Sequence, residues 1–400
     1  MSTNNNNMDQ TLQASSSSSS IIHNQRWVLK QHPKGKFVAK RDLKLIEEEI
    51  NLDTLQLEPD EFVVQSEVYA VDAFVRTVLD KGNYHGGTRG PGANVVANGY
   101  GTVIKTGSNH VYKVGTCVVG VFPVAKVAIC PKNPFVRPMM PLLPGQTKSS
   151  TLSIMGISGM TAYFGLFRPP HCTYGPTQSD TVVISGAAGS VGCAAIQMAK
   201  LSGAKRVVGI AGGQYKKQFL IDELHCDGAV DYKDTTISLS DQLDRVCPDG
   251  IDFYLDNVGG EILDTVLTKI NKNGRVIISG AISQYDTGTF HETGGIRGPS
   301  NYLKLAERHA SMTGFSIMNY LSGPGAILNM LCFFCFVWWH HLLIKKNLKE
   351  YKHVERGIEK FGRGIEMLFD GSSRHVGRLL IDVDGSLSAS HDDQEEKQKL

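Results

Sequence analysis

The pattern of apolar and polar positions changes character twice along the chain. Residues 26–150 carry short β-rich runs, at 61–70, 99–104 and 116–122, separated by turns that bear Gly and Asn. No helical periodicity runs through this part, so it reads as an all-β-like region. From about residue 151 the pattern is different. Apolar runs at 182–184, 207–210, 251–255 and 275–279 alternate with stretches at helical spacing, at 194–201, 216–224 and 261–270. A further short strand ends at Asp231-Tyr232. Strands alternating with helices predict βαβ units and a parallel sheet, hence an α/β fold class for this part. The second change comes at 309–344, which contains no Asp, Glu, Lys or Arg. Inside it, residues 326–344 are interrupted mainly by Asn329, His340 and His341. The strand-like run 376–383 closes the pattern.

Composition narrows the classes. A chain of 400 residues holds two to three domains. Lys plus Arg number 41 against 39 Asp plus Glu, a net charge of +2, which argues against a nucleic-acid binder. Eight scattered cysteines are too few for a disulfide scaffold and suggest a reducing, cytoplasmic setting. Asn4 to Asn7 and Ser15 to Ser20 make the N-terminus low-complexity, so residues 1–25 are expected to be a disordered tail, as are 387–400. No Lys or Arg precedes Arg26 and no apolar stretch marks a signal or transit peptide. The closing Gln398-Lys399-Leu400 departs at its first residue from a Ser-Lys-Leu address.

The strongest chemical signal is the turn Ile184-Ser185-Gly186-Ala187-Ala188-Gly189-Ser190-Val191-Gly192, which follows a strand and opens a helix. Gly189 lets a backbone approach a pyrophosphate, and Gly192 lets the helix pack closely on the strand. The helix N-terminus adds N–H groups and a positive dipole. The next strand is followed by Ala211-Gly212-Gly213-Gln214-Tyr215-Lys216-Lys217, with no carboxylate for a ribose 2′-hydroxyl. Two lysines there would attract a 2′-phosphate, so NADP(H) is the expected cofactor. No metal is expected. Cys117 and Cys130 lack a histidine at ligand spacing, and Cys332 and Cys335, with His340 and His341 nearby, read as core cysteines. Carbonyl polarisation is then left to a proton donor or a hydroxyl network.

Five runs together resemble the zinc-independent medium-chain dehydrogenase/reductases, and within them the prostaglandin reductase, leukotriene dehydrogenase and NADP-dependent alkenal double-bond reductase group. They are Tyr69-Ala70-Val71-Asp72-Ala73-Phe74-Val75-Arg76, Gly159-Met160-Thr161-Ala162-Tyr163-Phe164-Gly165-Leu166, Ala187-Ala188-Gly189-Ser190-Val191-Gly192, Asp256-Asn257-Val258-Gly259-Gly260-Glu261 and Gly280-Ala281-Ile282-Ser283-Gln284-Tyr285. The resemblance covers roughly residues 26–385. It implies a GroES-like substrate domain from 26–150 and 345–386, and a Rossmann NADP-binding domain from 151–344. It implies an oxidoreductase that reduces the carbon–carbon double bond of an α,β-unsaturated ketone or aldehyde, the small-molecule partner, with a homodimeric assembly. Tyr285 falls at the family's active-site tyrosine. Lys216 and Tyr232 match residues beside the 2′-phosphate. Ala188, Gly189, Val191 and Gly192 form the phosphate turn, and Thr161, Gly213, Asn257, Gly280 and Ile282 complete the implied cofactor contacts. Tyr69, Asp72 and Arg76 read as structural. A quinone reductase and a catalytically silent NADPH-binding protein remain as alternatives.

The chain departs from the family pattern in several places. Ala73-Phe74-Val75 replaces Pro-Tyr-Met, Gly213 stands where a serine is usual, and His375-Val376-Gly377-Arg378 stands where Asn-x-Gly-Lys is usual. Residues 326–344 replace a more amphipathic helix. Their length would suit a bilayer, but histidines are costly in lipid, and a crossing would cut the last family-like segment from its fold. An unusually buried helix is therefore expected. Weak membrane association or a partner surface, and an artefact of the gene model, are the other readings.

Overall fold

The computed structural model describes residues 21–80, 90–142, 144–168, 175–286, 297–340 and 348–387. The first strand, β1 (Ile21–Leu29), pairs antiparallel with β2 (Leu43–Asn51) along its whole length. It starts inside the stretch expected to be a disordered tail. Continuous pairing satisfies its backbone, and Trp27 is tied down by an Nε1–H bond of 2.8 Å to the Ile358 carbonyl.

The three β-rich runs fall in β3 (Phe62–Ala70), β4 (Val96–Thr106) and β5 (Cys117–Pro123), and two further short strands follow, β6 (Val127–Cys130) and β7 (Arg137–Pro138). These pair antiparallel. The region is not purely β, because the short helices Ala39–Asp42 and Ala73–Val78 lie within it.

The second half is a parallel sheet of β8 (Thr181–Ser185), β9 (Arg206–Ala211), β10 (Gly228–Asp231), β11 (Ile251–Asp256), β12 (Ile270–Ile278) and β13 (Ser311–Gly314). Its order is β10-β9-β8-β11-β12-β13, with every pair parallel. All five residues of β8 are buried, as helices on both faces of a parallel sheet require. The order reverses between β8 and β11, and a crevice opens there beyond the carboxyl ends of the strands. This is a Rossmann domain beside a GroES-like one.

The chain then returns. β14 (Lys352–Arg356) and β15 (Arg378–Asp382) add to the first domain's sheet, with β15 antiparallel to β3. On the way back, Gly377 donates its N–H to the Ala188 carbonyl at 2.7 Å, inside the glycine turn. Gly377 has φ +70°, and any side chain there would overlap the Tyr351 carbonyl oxygen. Next to it, Arg378 reaches Asp72 (Nη2–Oδ2 2.8 Å) and the Ser158 hydroxyl at 3.2 Å.

The charge-free segment forms a helix over Ala326–Trp338; residues 341–344 of the run lie outside the described residues. The helix is not the fully buried one expected. Phe333 and Val337, one turn apart, are buried against the Rossmann core, where Phe333 and Phe336 pack on Tyr163. The opposite face is apolar and open, with Ile327 74%, Leu331 54% and Trp338 55% exposed. A 3.6-residue period can bury only one side of a helix lying on a domain surface, whatever the other side carries. No helix among the described residues is long and apolar enough to cross a membrane.

Candidate active site

A cleft of about 2530 Å³ runs between the two domains. Its floor is the glycine turn. Gly189 caps the helix Ser190–Leu201, and the turn ends with Gly192 pressed on the strand exit, where a side chain would overlap the Gly186 carbonyl. Asp256, fully buried at the end of β11, holds this region together. Its Oδ1 accepts from the Ser185 hydroxyl (2.9 Å), the Tyr254 hydroxyl (2.8 Å) and the N–H groups of Val258 and Gly259 (3.0 and 2.9 Å). One carboxylate oxygen thus locks β8 to β11 at the switch point.

Ala188, Gly189, Val191 and Gly192 all line the cleft, as do Thr161, Lys216, Tyr232, Asn257, Gly280, Ile282 and Tyr285. Gly213 does not. It caps the helix Gln214–Asp222 and gives its N–H to Asp231 at 2.6 Å, which turns the amide away from the cleft. Asn257 uses its side-chain N–H on the Ser185 carbonyl at 2.8 Å. Thr161 returns its hydroxyl proton to the Ile157 carbonyl at 2.7 Å, so toward the cleft it offers an acceptor. Tyr232 lies with its ring against Gly212. His375 lines the cleft with Nδ1 2.7 Å from the Ser373 hydroxyl.

The residues fit a dinucleotide phosphate on three grounds. Ser190, at the first helical position after Gly189, has a buried hydroxyl oxygen with no hydrogen-bond partner among the described residues. It faces the anion-favouring end of the helix dipole. Lys216 lies half-buried beside a second ammonium. Burial first, and the Lys233 charge second, push it down to about 8, against the opposing pull of Asp370. An ammonium in that state gains most from a phosphate. Third, the Gly189 backbone is open toward the cleft, with only the Gly186 carbonyl near where a side chain would stand. Ser190 went unassigned in the sequence, although it sits inside the motif.

Tyr285 ends the short helix Ile282–Tyr285 after β12. Its hydroxyl oxygen accepts the Ala281 N–H at 3.0 Å, which curls the side chain back over Gly280. The next residue, Asp286, carries the loop's anchor. Its Oδ1 accepts from Arg76 Nε at 2.8 Å and from the Phe37 N–H at 2.7 Å. Arg76, 1% exposed, also reaches Asp80 Oδ1 at 2.6 Å and the Gly35 carbonyl at 3.0 Å. The guanidinium therefore ties the tyrosine loop of one domain to the other domain. In sequence Arg76 reads as structural, and the signal that it reaches the tyrosine loop is Asp286 directly after Tyr285. Tyr100, in contrast, is buried among Val68, Leu152 and Leu380 and does not line the cleft. No set of three or more His, Cys, Asp or Glu among the described residues is gathered to hold a metal ion.

Replacing Arg76 with Leu strands the Asp80 and Asp286 carboxylates. Urea unfolding should show a loss of about 3–5 kcal/mol, as for other broken buried pairs. A midpoint equal to wild type would count against the clamp.

Comparison with known proteins agrees with this geometry. The family model described as "Zinc-binding dehydrogenase" matches residues 190–323. The NADP(+)-dependent 2-alkenal reductase of Nicotiana tabacum is 31% identical over 369 residues, covering 90% of this chain and 98% of that one. Prostaglandin reductase 1 of Rattus norvegicus is 33% identical over 267 residues, covering 66% and 75%. The crystal structure of CurA in complex with NADPH, from Vibrio vulnificus, superposes with a TM-score of 0.75 at 26% identity, covering 90% of this chain and 99% of that one. With this similarity running along nearly its full length, the chain belongs to the zinc-independent medium-chain dehydrogenase/reductases, in the branch of the prostaglandin reductases and NADP-dependent 2-alkenal reductases.

Proposed function

We propose that the protein reduces the carbon–carbon double bond of α,β-unsaturated ketones and aldehydes with NADPH. One observation carries the reading: a phosphate cradle and the Tyr285 hydroxyl line the same inter-domain cleft. The activities named for the tobacco and rat relatives support it. NADPH, when bound, supplies the hydride for the β-carbon. The electron pair of the double bond then moves toward the carbonyl oxygen, and a donor aimed at that oxygen lowers the barrier. Tyr285 is assigned to that position. An oxygen that accepts the Ala281 N–H is held in place, and a phenol carries a proton that it can donate. A proton delivered to the α-carbon completes the saturated product. Ser190, Ala188, Gly189, Val191 and Gly192 are assigned to the pyrophosphate and Lys216 and Tyr232 to the 2′-phosphate. Thr161, Asn257, Gly280 and Ile282 are assigned to the nicotinamide end.

We also propose a homodimer. The open face of the helix Ala326–Trp338 and the edge strand β13, where Ser311, Met312 and Gly314 are exposed, both call for cover. A second copy would bury the one and pair the other.

Tyr285→Phe removes the hydroxyl and keeps the ring. With saturating enone, kcat should fall about 10²–10³-fold while NADPH Kd holds. Wild-type assays with an enone, a quinone and neither, followed by NADPH absorbance, test the reaction itself; quinone turnover without enone turnover would overturn it.

Lys216 makes cofactor choice depend on pH. A 2′-phosphate, dianionic above pH 7, binds the ammonium form, so affinity is full below about 8 and falls as pH rises through it. Titrations should show NADPH Kd rising above that pH, by up to about tenfold per pH unit, while NADH Kd stays level. Lys216→Ala should weaken NADPH by about 1–3 kcal/mol and flatten the profile. Equal losses for NADPH and NADH would remove Lys216 from the 2′-phosphate.

For the dimer, light scattering should give twice the chain mass for wild type and a single chain mass for Leu331→Glu with Trp338→Glu. A wild-type monomer at micromolar concentration would sink the assembly.

A further inference from the structure

The chain passes from the GroES-like sheet to the Rossmann core through residues 147–156 and comes back through 348–352. The two passages meet at one side chain. Glu350, on the returning passage, turns its carboxylate into the short helical turn Lys148–Leu152 of the outgoing one. Its Oε2 accepts from the hydroxyls of Thr147 (3.2 Å), Ser149 (3.0 Å) and Ser150 (3.2 Å), and its Oε1 accepts from the Ser153 hydroxyl at 2.8 Å. Lys352 closes the group, with Nζ 3.1 Å from the Ser149 hydroxyl and 3.9 Å from Oε2. Ser149, Ser150 and Ser153 are buried, and the Glu350 side chain is 11% exposed. A carboxylate withdrawn from water needs donors on both oxygens, and these hydroxyls supply them. None of the partners can drift without leaving a half-buried charge or a buried hydroxyl unpaired.

The residues on either side of Glu350 are fastened elsewhere. Lys349 gives its N–H to the Gln197 side chain at 2.7 Å and accepts the Gln197 amide on its carbonyl at 3.0 Å. Gln197 lies on the helix Ser190–Leu201, which the glycine turn opens. Tyr351 donates its hydroxyl to the Glu223 carbonyl at 3.0 Å and meets Phe219 edge-on, while its own carbonyl accepts the Arg378 N–H at 2.8 Å. Consecutive residues thus stitch the Rossmann helices, the outgoing passage and β15 into one joint. The element that the joint aims is the helix Ile157–Phe167, which begins shortly after Ser153. Thr151, Gly156, Ile157, Ser158, Met160 and Thr161 all line the cleft. A shift of the outgoing passage would carry that wall of the cleft, Thr161 included, relative to the glycine turn.

We infer that Glu350 is a positioning residue for the reduction: by pinning both passages it sets the Thr161 helix and the GroES-like wall against the cofactor's end of the cleft. The joint rests on its own geometry; its effect on turnover rests on the enone-reductase reading.

The test compares wild type with Glu350→Ala, which removes the acceptors, and Glu350→Gln, which keeps the length and one carbonyl acceptor. Hydrogen exchange of the amides at 147–161 should quicken by about tenfold or more in the Ala variant, while β8, β9 and β11 keep wild-type rates. Enone kcat/KM should fall about 10–100-fold, through both kcat and KM, as expected when reacting groups are misplaced. NADPH Kd should hold, because Gly189, Ser190 and Lys216 all belong to the Rossmann side. The Gln variant should recover part of both losses. A purely structural glutamate would lower the unfolding midpoint and leave kcat and KM of the folded enzyme at wild-type values, which would overturn the positioning role. Unchanged exchange at 147–161, or no recovery with Gln, would overturn the joint. NADPH affinity lost in step with enone turnover would overturn it too, by placing the effect on the cofactor. Should the Ala variant fail to fold, Ser153→Ala removes only the Oε1 bond; it should quicken exchange and lower kcat/KM in the same direction, and wild-type values for both count against Glu350. If wild type reduces no enone, the reading of the reaction fails, and the exchange rates still decide the joint.

Discussion

A buried guanidinium between two domains is the constraint on which the site depends. Arg76 is out of water, and its charge is tolerable only when Asp80, Asp286 and the Gly35 carbonyl surround it together. Those groups come from three distant segments. The helix Ala73–Val78, the loop before β2 and the turn after β12 must therefore meet, and Tyr285 is carried to the cleft by its neighbour's carboxylate. A surface pair would leave this geometry loose, because solvent would stand in for any missing partner.

Two further contacts close the same seam. The Gly377 N–H bonds the glycine turn directly, and Arg378 beside it pairs with Asp72. Gly377 immediately precedes the returning strand β15 and Arg378 opens it, and β15 is itself hydrogen-bonded to β3. The glycine turn and the GroES-like domain are thus coupled through main chain as well as charge. Across the resulting cleft the cations are separated. Lys216 with Lys233 lies after β9 and β10, and Arg137 lies on β7 of the other domain, with Nη1 3.7 Å from the Met330 thioether.

Much of this was legible from residues alone. Alternation of short apolar runs with helical stretches marked the parallel sheet, because strands buried on both faces must be apolar throughout. The glycine turn was legible because the close approach at Gly192 tolerates no side chain. The lysines after β9 were legible because an acidic residue is missing where one would select NAD. Motif order also pointed to Tyr285. These are local constraints, written in neighbouring residues.

What only the tertiary structure decided is long-range. That Arg76 anchors the Tyr285 loop depends on residues 210 positions apart in sequence. Gly213 sits beside Lys216 in sequence, yet its N–H is drawn to Asp231 by the turn at the strand ends. Ser190 is an ordinary helix-start serine until its hydroxyl is seen to be buried without a partner. The run 326–344 looks uniformly apolar as text, and only packing tells Phe333 and Val337 from the exposed Ile327 and Leu331. Arg137 reads as one more surface cation until folding half-buries it with no carboxylate in ion-pair reach among the described residues. Composition and periodicity record what each residue prefers; which preferences are left unsatisfied is settled by the neighbours that folding brings.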